Sequence, residues 1–100
     1  MVVGAFVGEK PDFTLVAHFG ILSHDIAMIS LNKAHYINQG INKNKALSVN
    51  IVDESRLEKA AVAGSVSGRV KDKSSLFEYG LGETNAPIIN DAKLSMECVV

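Results

Sequence analysis

Residues 30–41 read SLNKAHYINQGI. An apolar run, AMISL, stops there, and Asn32, Lys33, His35, Tyr36, Asn38 and Gln39 follow at once. Few of these side chains are needed to build a core. The spacing predicts a short helix over Tyr36 to Asn44, with Tyr36, Ile37, Gly40 and Ile41 on one side despite the glycine. A helix that starts there aims backbone N–H groups and partial positive charge at the turn before it. Asn32, Lys33 and His35 add donors at the same place. The chemistry that fits is the holding of a phosphate or another anion. The plainer alternative is that the same residues cap and solvate a helix end.

Other candidate groupings carry less. His18, His24 and His35 are the only histidines. They show no metal spacing such as i, i+4 on a helix, and a zinc site needs three or four ligands. Ser23-His24-Asp25 has the residue types of a hydrolase triad, but adjacent residues cannot present their side chains in relay geometry. Cys98 lies in an apolar run with no basic neighbour to lower its pKa, which reads as a structural thiol. GSVSG (64–68) and GLGETN (80–85) match neither a phosphate-binding Walker loop nor a dinucleotide fingerprint. GSVSGRVKDKS does gather donors at Ser65, Ser67, Arg69, Lys71 and Lys73, on what otherwise reads as a solvated loop.

The elements that must position these groups are mostly strands. Val2 to Val7 is β-branched and apolar. Gly8 to Asp12 is a turn, and Phe13 to Phe19 reads as the return strand of a hairpin. Ala27 to Leu31 and Leu47 to Val52 are further strands, the latter alternating apolar and polar. Asp53 or Ser55 can cap a helix over Arg56 to Val62, with Leu57, Ala60, Ala61 and Gly64 on one face and Gly64 at its end. Residues 65–86 read as a long loop anchored at Leu76-Phe77. Pro87 to Ile89 and Leu94 to Val100 are the last β-like runs. The outcome is a mainly β, β-rich α+β domain with short connecting helices, which favours a barrel or curled sheet over a doubly wound one.

The totals set outer limits. One hundred residues suffice for one core. A net charge of −1 gives no global pull toward nucleic acid or an anionic membrane. No run approaches the roughly 20 apolar residues of a membrane span, and the first residues lack a signal-peptide pattern. A single cysteine excludes an intrachain disulfide and fits a cytoplasmic location. The chain opens and closes on strand-like runs, VVGAFV and SMECVV. Two expectations are compatible with that: short edge strands, or a domain that is incomplete or completed by another chain.

Five stretches in order resemble the flavin reductase-like family of FMN-binding split barrels. GAFVGEKPDFTLVAHFGIL is similar to its K-P-N-F-M-T-V-A-W hairpin. SHDIAMISLNKAHYINQGI is similar to S-x-P-P-M-I-S-I-S-x-x-K-x-R/H-Y-T-x-x-x-I. ALSVNIV, EKAAVAGSVSGRVKDKSSLFE and NAPIINDAKLSMECVV resemble its F-S-V-N-I/L-P, C-G-x-V-S-G-x-x-V-D-K-S-x-L-F and A-P-x-I-x-E-C-P-L-N-L-E-C segments. The resemblance runs over residues 1–100 and implies a six-stranded barrel. It further implies a homodimer with FMN near the subunit interface, and an NAD(P)H:flavin oxidoreductase or electron-transfer flavoprotein. Asn32, Lys33, Ala34, His35 and Tyr36 would then cradle the FMN phosphate. Leu15, Val16, Ala17 and His18 would lie along the isoalloxazine ring, with backbone groups serving its polar edge. Asn50, Ser67 and Lys73 are further implied contacts. The sequence departs from the family at Asp12 (for Asn), Leu15 (for Thr), His18 (for Trp), Ile26-Ala27 (for Pro-Pro), Ile37 (for Thr) and Val62-Ala63 (for Tyr-Cys). It is also shorter, without part of the first strand region and the segment after L-x-x-E-C. Those departures imply the alternative: a non-catalytic or truncated split-barrel module with weak or no flavin binding, acting in oligomerisation.

Overall fold

A computed structural model of the chain describes residues 1–16, 18–53, 57–65 and 76–100. In chain order the elements are β1 (Val2–Val7), β2 (Lys10–Leu15), β3 (Phe19–Ser23), β4 (Ile26–Ile29), α1 (Ile37–Asn44), β5 (Ala46–Ile51), α2 (Leu57–Ser65), β6 (Tyr79–Leu81), β7 (Pro87–Ile89) and β8 (Leu94–Val99). A four-stranded antiparallel sheet in the order β2-β1-β5-β8 is the frame, and the hairpins β3–β4 and β6–β7 pack beside it.

The first hairpin forms where glycine supplies the backbone it needs. Val7 pairs with Lys10, so Gly8 and Glu9 alone make the turn. Gly8 takes φ +66° and Glu9 stays at negative φ, the type II′ arrangement that matches strand twist. Pro11 is tolerated opposite Phe6 because β2 is an edge strand and needs no outward N–H.

Strand alternation puts a core on each face of the sheet. Val3, Ala5, Leu47 and Val49 pack with Val16, Ile37 and Ile41, which brings α1 and the base of the β3–β4 hairpin onto one face. Val2, Phe13, Ala60, Ala63, Phe77 and Ile89 pack on the other, under α2 and the β6–β7 hairpin. Phe13 and Phe77 meet edge to face at 5.2 Å. Helix α1 lies directly on β1 because Gly40 has no Cβ: one there would run into the Phe6 carbonyl. That same carbonyl accepts a hydrogen bond from Asn44 Nδ2 at 3.0 Å. The helix ends at Lys45 in the left-handed region (φ 56°), whose N–H donates to the Ile41 carbonyl.

Several boundaries differ from the sequence expectations. The return strand expected over Phe13 to Phe19 is two strands, β2 and β3. The paired ladder with β1 runs to Leu15, the Val16 N–H still bonds to the Met1 carbonyl, and from Phe19 the chain pairs with β4 instead. Strand β6 lies in the stretch expected to be loop, a three-residue strand with Gly80 at its middle that pairs with β7. Among the described side chains of α2, Ala60 and Ala63 are buried, while Ala61 is exposed. Ser55 and Arg56, part of the expected helix start, lie outside the described residues. Strands β1, β5, β7 and β8 fall within a residue of where they were expected.

Asn50 holds the second face together. It is fully buried near the C-terminal end of β5. Its Nδ2 donates to the Val2 carbonyl at 3.1 Å and to Ser48 Oγ at 2.9 Å. Its Oδ1 accepts from the Ile89 N–H at 3.1 Å and from Ser95 Oγ at 2.9 Å. Ser48 Oγ in turn donates to the Pro87 carbonyl at 2.5 Å. One amide thereby joins β1, β5, β7 and β8. This corrects the expectation of Asn50 as a flavin contact: both amide hydrogens and both lone-pair directions are already used inside the fold. Asn50→Ala is therefore expected to cost about 3–5 kcal/mol, because the groups it served are left buried and unpaired. Asn50→Asp, which keeps the shape but loses both donors, should cost a similar amount. Urea unfolding of both variants checks this, and a loss below about 1 kcal/mol for either speaks against the hub.

The loop before β7 is tied to β8 by Glu97. Its carboxylate accepts from the Thr84 N–H at 2.8 Å and from Thr84 Oγ1 at 3.1 Å. The Thr84 backbone donor is the chief reason that its pKa lies below the ordinary glutamate value; desolvation opposes it, and the Thr84 hydroxyl and the Glu83 backbone add to the lowering. A carboxylate lowered on folding stabilises above its unfolded pKa and loses that contribution as pH falls through the folded pKa. Carboxyl NMR should show Glu97 titrating below the ordinary glutamate value. Amide protection at Thr84 should fade over that same acid window and be absent in Glu97→Gln.

Candidate functional site

The junction 30–36 leaves β4 and enters α1. Its backbone is drawn inward by local hydrogen bonds. Asn32 Oδ1 accepts from the Ala34 N–H at 2.9 Å, an Asx-type turn. The Asn32 carbonyl accepts from the His35 N–H at 3.0 Å and from Asn38 Nδ2 at 2.8 Å. In the first turn of α1 the Asn38 N–H bonds to the His35 carbonyl at 3.2 Å and the Gln39 N–H to the Tyr36 carbonyl at 3.1 Å. These tight i→i+3 bonds correct the expectation of free amides aimed at the turn, since those of Asn38 and Gln39 face back into the chain.

The side chains carry what is left of the site. Asn32, Lys33, Ala34 and His35 are exposed and Tyr36 half-buried. No acidic residue stands in the first turn of α1, and no side chain caps it. The whole stretch from residue 26 to 52 contains three lysines, Lys33, Lys43 and Lys45, and neither Asp nor Glu. This local cationic tract was open to view in the sequence but hidden by the net charge of −1.

The second expected segment, residues 15–18, lies beside this junction. The Ser30 N–H donates to the His18 carbonyl at 3.1 Å. Val16 is buried in the same cluster as Ile37, with Leu31 and Phe19 packed on it. Leu15 is 42 % exposed. It lies against α2 where Gly64 leaves room: a Cβ there would stand 2.7 Å from the Leu15 Cβ. The Ser30–His18 bond and the shared Val16–Ile37 cluster set the two segments side by side, with the Leu15 side chain turned to the α2 face. Ala17, Ser67 and Lys73 lie outside the described residues, and Asn50 is committed to the core.

The fit to FMN is uneven along its length. A phosphate would meet an exposed ammonium, an imidazole and an amide in a stretch of sequence without Asp or Glu, which is the donor set it needs. At the ring end Val16 offers little. Its N–H donates to the Met1 carbonyl at 2.8 Å, and its carbonyl accepts from the Met1 ammonium at 3.3 Å. That corrects the expectation that Val16 backbone groups serve the ring's polar edge. Leu15 and His18 remain on that strand, without the hydroxyl or the aromatic platform of the family pattern.

Two other sequence features resolve into ordinary structure. Ser23 Oγ donates to Asp25 Oδ1 at 3.2 Å, an exposed clasp across the β3–β4 turn. Cys98 is half-buried, and burial raises its thiol pKa. Among the described residues no three of His, Cys, Asp and Glu gather as metal ligands, and no helix is long and apolar enough to cross a membrane. The feature that sequence reading missed is an apolar cavity of about 360 Å³ between the β3–β4 hairpin and β8, lined by Phe19, Leu22, Met28, Leu47 and Cys98 among others.

Comparison with known proteins agrees with this architecture. Flavoredoxin from Methanosarcina acetivorans is 33% identical over 99% of this chain and 55% of its own, with a TM-score of 0.93. Flavoredoxin of Desulfovibrio vulgaris (Miyazaki F) is 26% identical over 96% of this chain and 56% of its own, with a TM-score of 0.88. An FMN-binding protein from Thermus thermophilus, solved with bound 1-cyclohex-2-enone, is 26% identical over 96% of this chain and 55% of its own, with a TM-score of 0.86. The chain thus spans little more than half the length of these relatives. No curated protein sequence matches it significantly. The mainly β, split-barrel fold is the one expected. With the model of the flavin reductase like domain matching residues 1–100, the chain belongs to that family.

Proposed function

We propose that this chain is the FMN-holding part of a flavin reductase-like flavoprotein, working as a homodimer with the flavin near the subunit interface and taking electrons from NAD(P)H. The observation that carries this reading is the acid-free, donor-rich junction 32–36 tied to strand residues 15–18 through the Ser30–His18 hydrogen bond. Lys33, His35 and Asn32 hold the phosphate, and the α1 terminus adds a favourable dipole. Tyr36 and Ala34 shape the cradle. Leu15 and His18 border the ring, and Leu15 gives it an apolar, water-poor wall. Bound flavin supplies hydride and single-electron chemistry that no side chain here possesses. The chain's own part is to bind, to orient and to keep water from one face. Relatives bearing the names NADH:FAD oxidoreductase and 2-nitrobenzoate 2-nitroreductase support a redox role. The soluble cytoplasm is the compartment proposed.

Two observations favour a second reading. Closure of Val16 on Met1 and the replacement of a hydroxyl by Leu15 weaken the ring end, which suits a split-barrel module with weak or no flavin binding that acts in oligomerisation.

Titration with FMN and with riboflavin separates the two. The first reading expects flavin fluorescence to be quenched on binding, with bands near roughly 370 and 450 nm in the loaded protein. Lys33→Ala and His35→Ala should each weaken FMN about tenfold while leaving riboflavin, which has no phosphate, unchanged. Equal losses for both ligands would remove the phosphate from the junction. No binding of either, together with no FMN-dependent oxidation of NADH or NADPH, would leave the second reading standing.

A further inference from the structure

The donors that would meet a phosphate at the junction have little packing to hold them. Asn32, Lys33, Ala34 and His35 are all exposed. An exposed segment keeps one conformation only where directional bonds offset the entropy of ordering it. Here the bonds converge on Asn32. Its Oδ1 accepts from the Ala34 N–H, and its carbonyl accepts from the His35 N–H at 3.0 Å and from Asn38 Nδ2 at 2.8 Å. The first two lie inside the turn. The third comes from α1, so the chain from Asn32 to Asn38 is a closed loop that carries Lys33 and His35.

Asparagine is a poor helix former, and its ordinary use at a helix start is as a cap, where its side-chain oxygen accepts from a helix amide. Asn38 does the opposite. It stands inside α1, after Ile37, and its side-chain nitrogen donates six residues back into the loop. The N-cap position belongs to Tyr36, which makes no side-chain cap bond. The Asn38 bond therefore serves the loop and satisfies no helix donor. Helix α1 is held by other contacts: Ile37 and Ile41 in the core, and Asn44 Nδ2 on the Phe6 carbonyl. A helix fixed to the sheet thus passes its order to an exposed turn through one amide. The family segment leaves position 38 open, so this mooring belongs to this chain.

We infer that Asn38 is a positioning residue for anion binding: it moors the Lys33–His35 turn to α1, so that ammonium and imidazole are pre-organised before a phosphate arrives. This role rests on the phosphate reading proposed above. Fluorescence titration of the chain with FMN and riboflavin tests it. Asn38→Ala should weaken FMN about fivefold, the worth of one such bond, and leave riboflavin unchanged. Asn38→Gln, which keeps the donor on a longer arm, should recover part of the FMN affinity. With Lys33→Ala and His35→Ala already in place, adding Asn38→Ala should change FMN affinity less than about twofold, because Asn38 acts through them. Amide exchange should quicken at His35 in Asn38→Ala, while the Val16 and Lys45 amides, bonded to Met1 and Ile41, keep their rates. Equal losses for FMN and riboflavin, or a loss undiminished in the Lys33→Ala, His35→Ala background, overturn the inference and leave the flavin reading in place. So does FMN binding that Asn38→Ala does not alter. If the wild-type chain binds no FMN, the flavin reading falls and inorganic phosphate becomes the probe. A phosphate-induced NMR shift at His35 that Asn38→Ala weakens then sustains the mooring, and its absence in the wild type overturns it.

Discussion

The fold depends on a single buried amide. Asn50 sits at 0 % exposure, and its four hydrogen bonds reach β1, β5, β7 and β8. Hydrophobic burial alone would not fix how the β6–β7 hairpin sits on the sheet, because apolar contact is non-directional. The amide supplies the direction. It binds the Ile89 N–H while Ser48 binds the Pro87 carbonyl, so both ends of β7 are fixed to β5. A buried polar group of this kind is tolerable only when every capacity is met, and no buried side-chain polar atom among the described residues lacks a partner.

That commitment explains which parts were legible from sequence. LSVNIV reads as a strand because apolar residues alternate with polar ones, and β5 is that strand. The alternation misleads about Ser48 and Asn50, though. Period-two patterning places them on the face opposite Leu47 and Val49 but cannot say that this face is also buried. Their environment depends on β7, which lies 39 residues further along in the Asn50–Ile89 contact. The same limit applies to TLVAHF. Its composition supports one strand, but from Phe19 the chain pairs with β4 instead of β1. Strand β6 was hidden because a three-residue strand around a glycine has almost no pattern of its own.

The candidate site shows the reverse balance. Its residue types were plain in SLNKAHYINQGI, and so was a helix end. The distribution of backbone donors was not. Asn32 organises the turn by accepting from Ala34 and, through its carbonyl, from His35 and Asn38. Tightening the first turn of α1 then uses amides that an ideal α-helix leaves open. Electrostatics at the junction consequently rests on side chains in a tract without carboxylates rather than on a nest of N–H groups. Such a site is more sensitive to salt and to loss of a single lysine than one built from backbone.

The two faces of the main sheet have unequal closure, and this connects fold to function. The face with α2 and β7 is sealed by the Asn50 hub. The face with α1 is sealed near Val16 and Ile37, beside the junction, but opens toward the β3–β4 hairpin and β8. The site therefore stands on the rigid part of its own face, while the open part lies at the far strand. Strand β5 spans both: Leu47 lines the cavity, packs in the cluster that supports Ile37, and pairs with Cys98 of β8. The Asn50 hub restrains β5 from the sealed face, and α1 rests on the cluster that Leu47 and Val49 of that strand help to build. Order at the hub and order at the junction are in this way consequences of one strand.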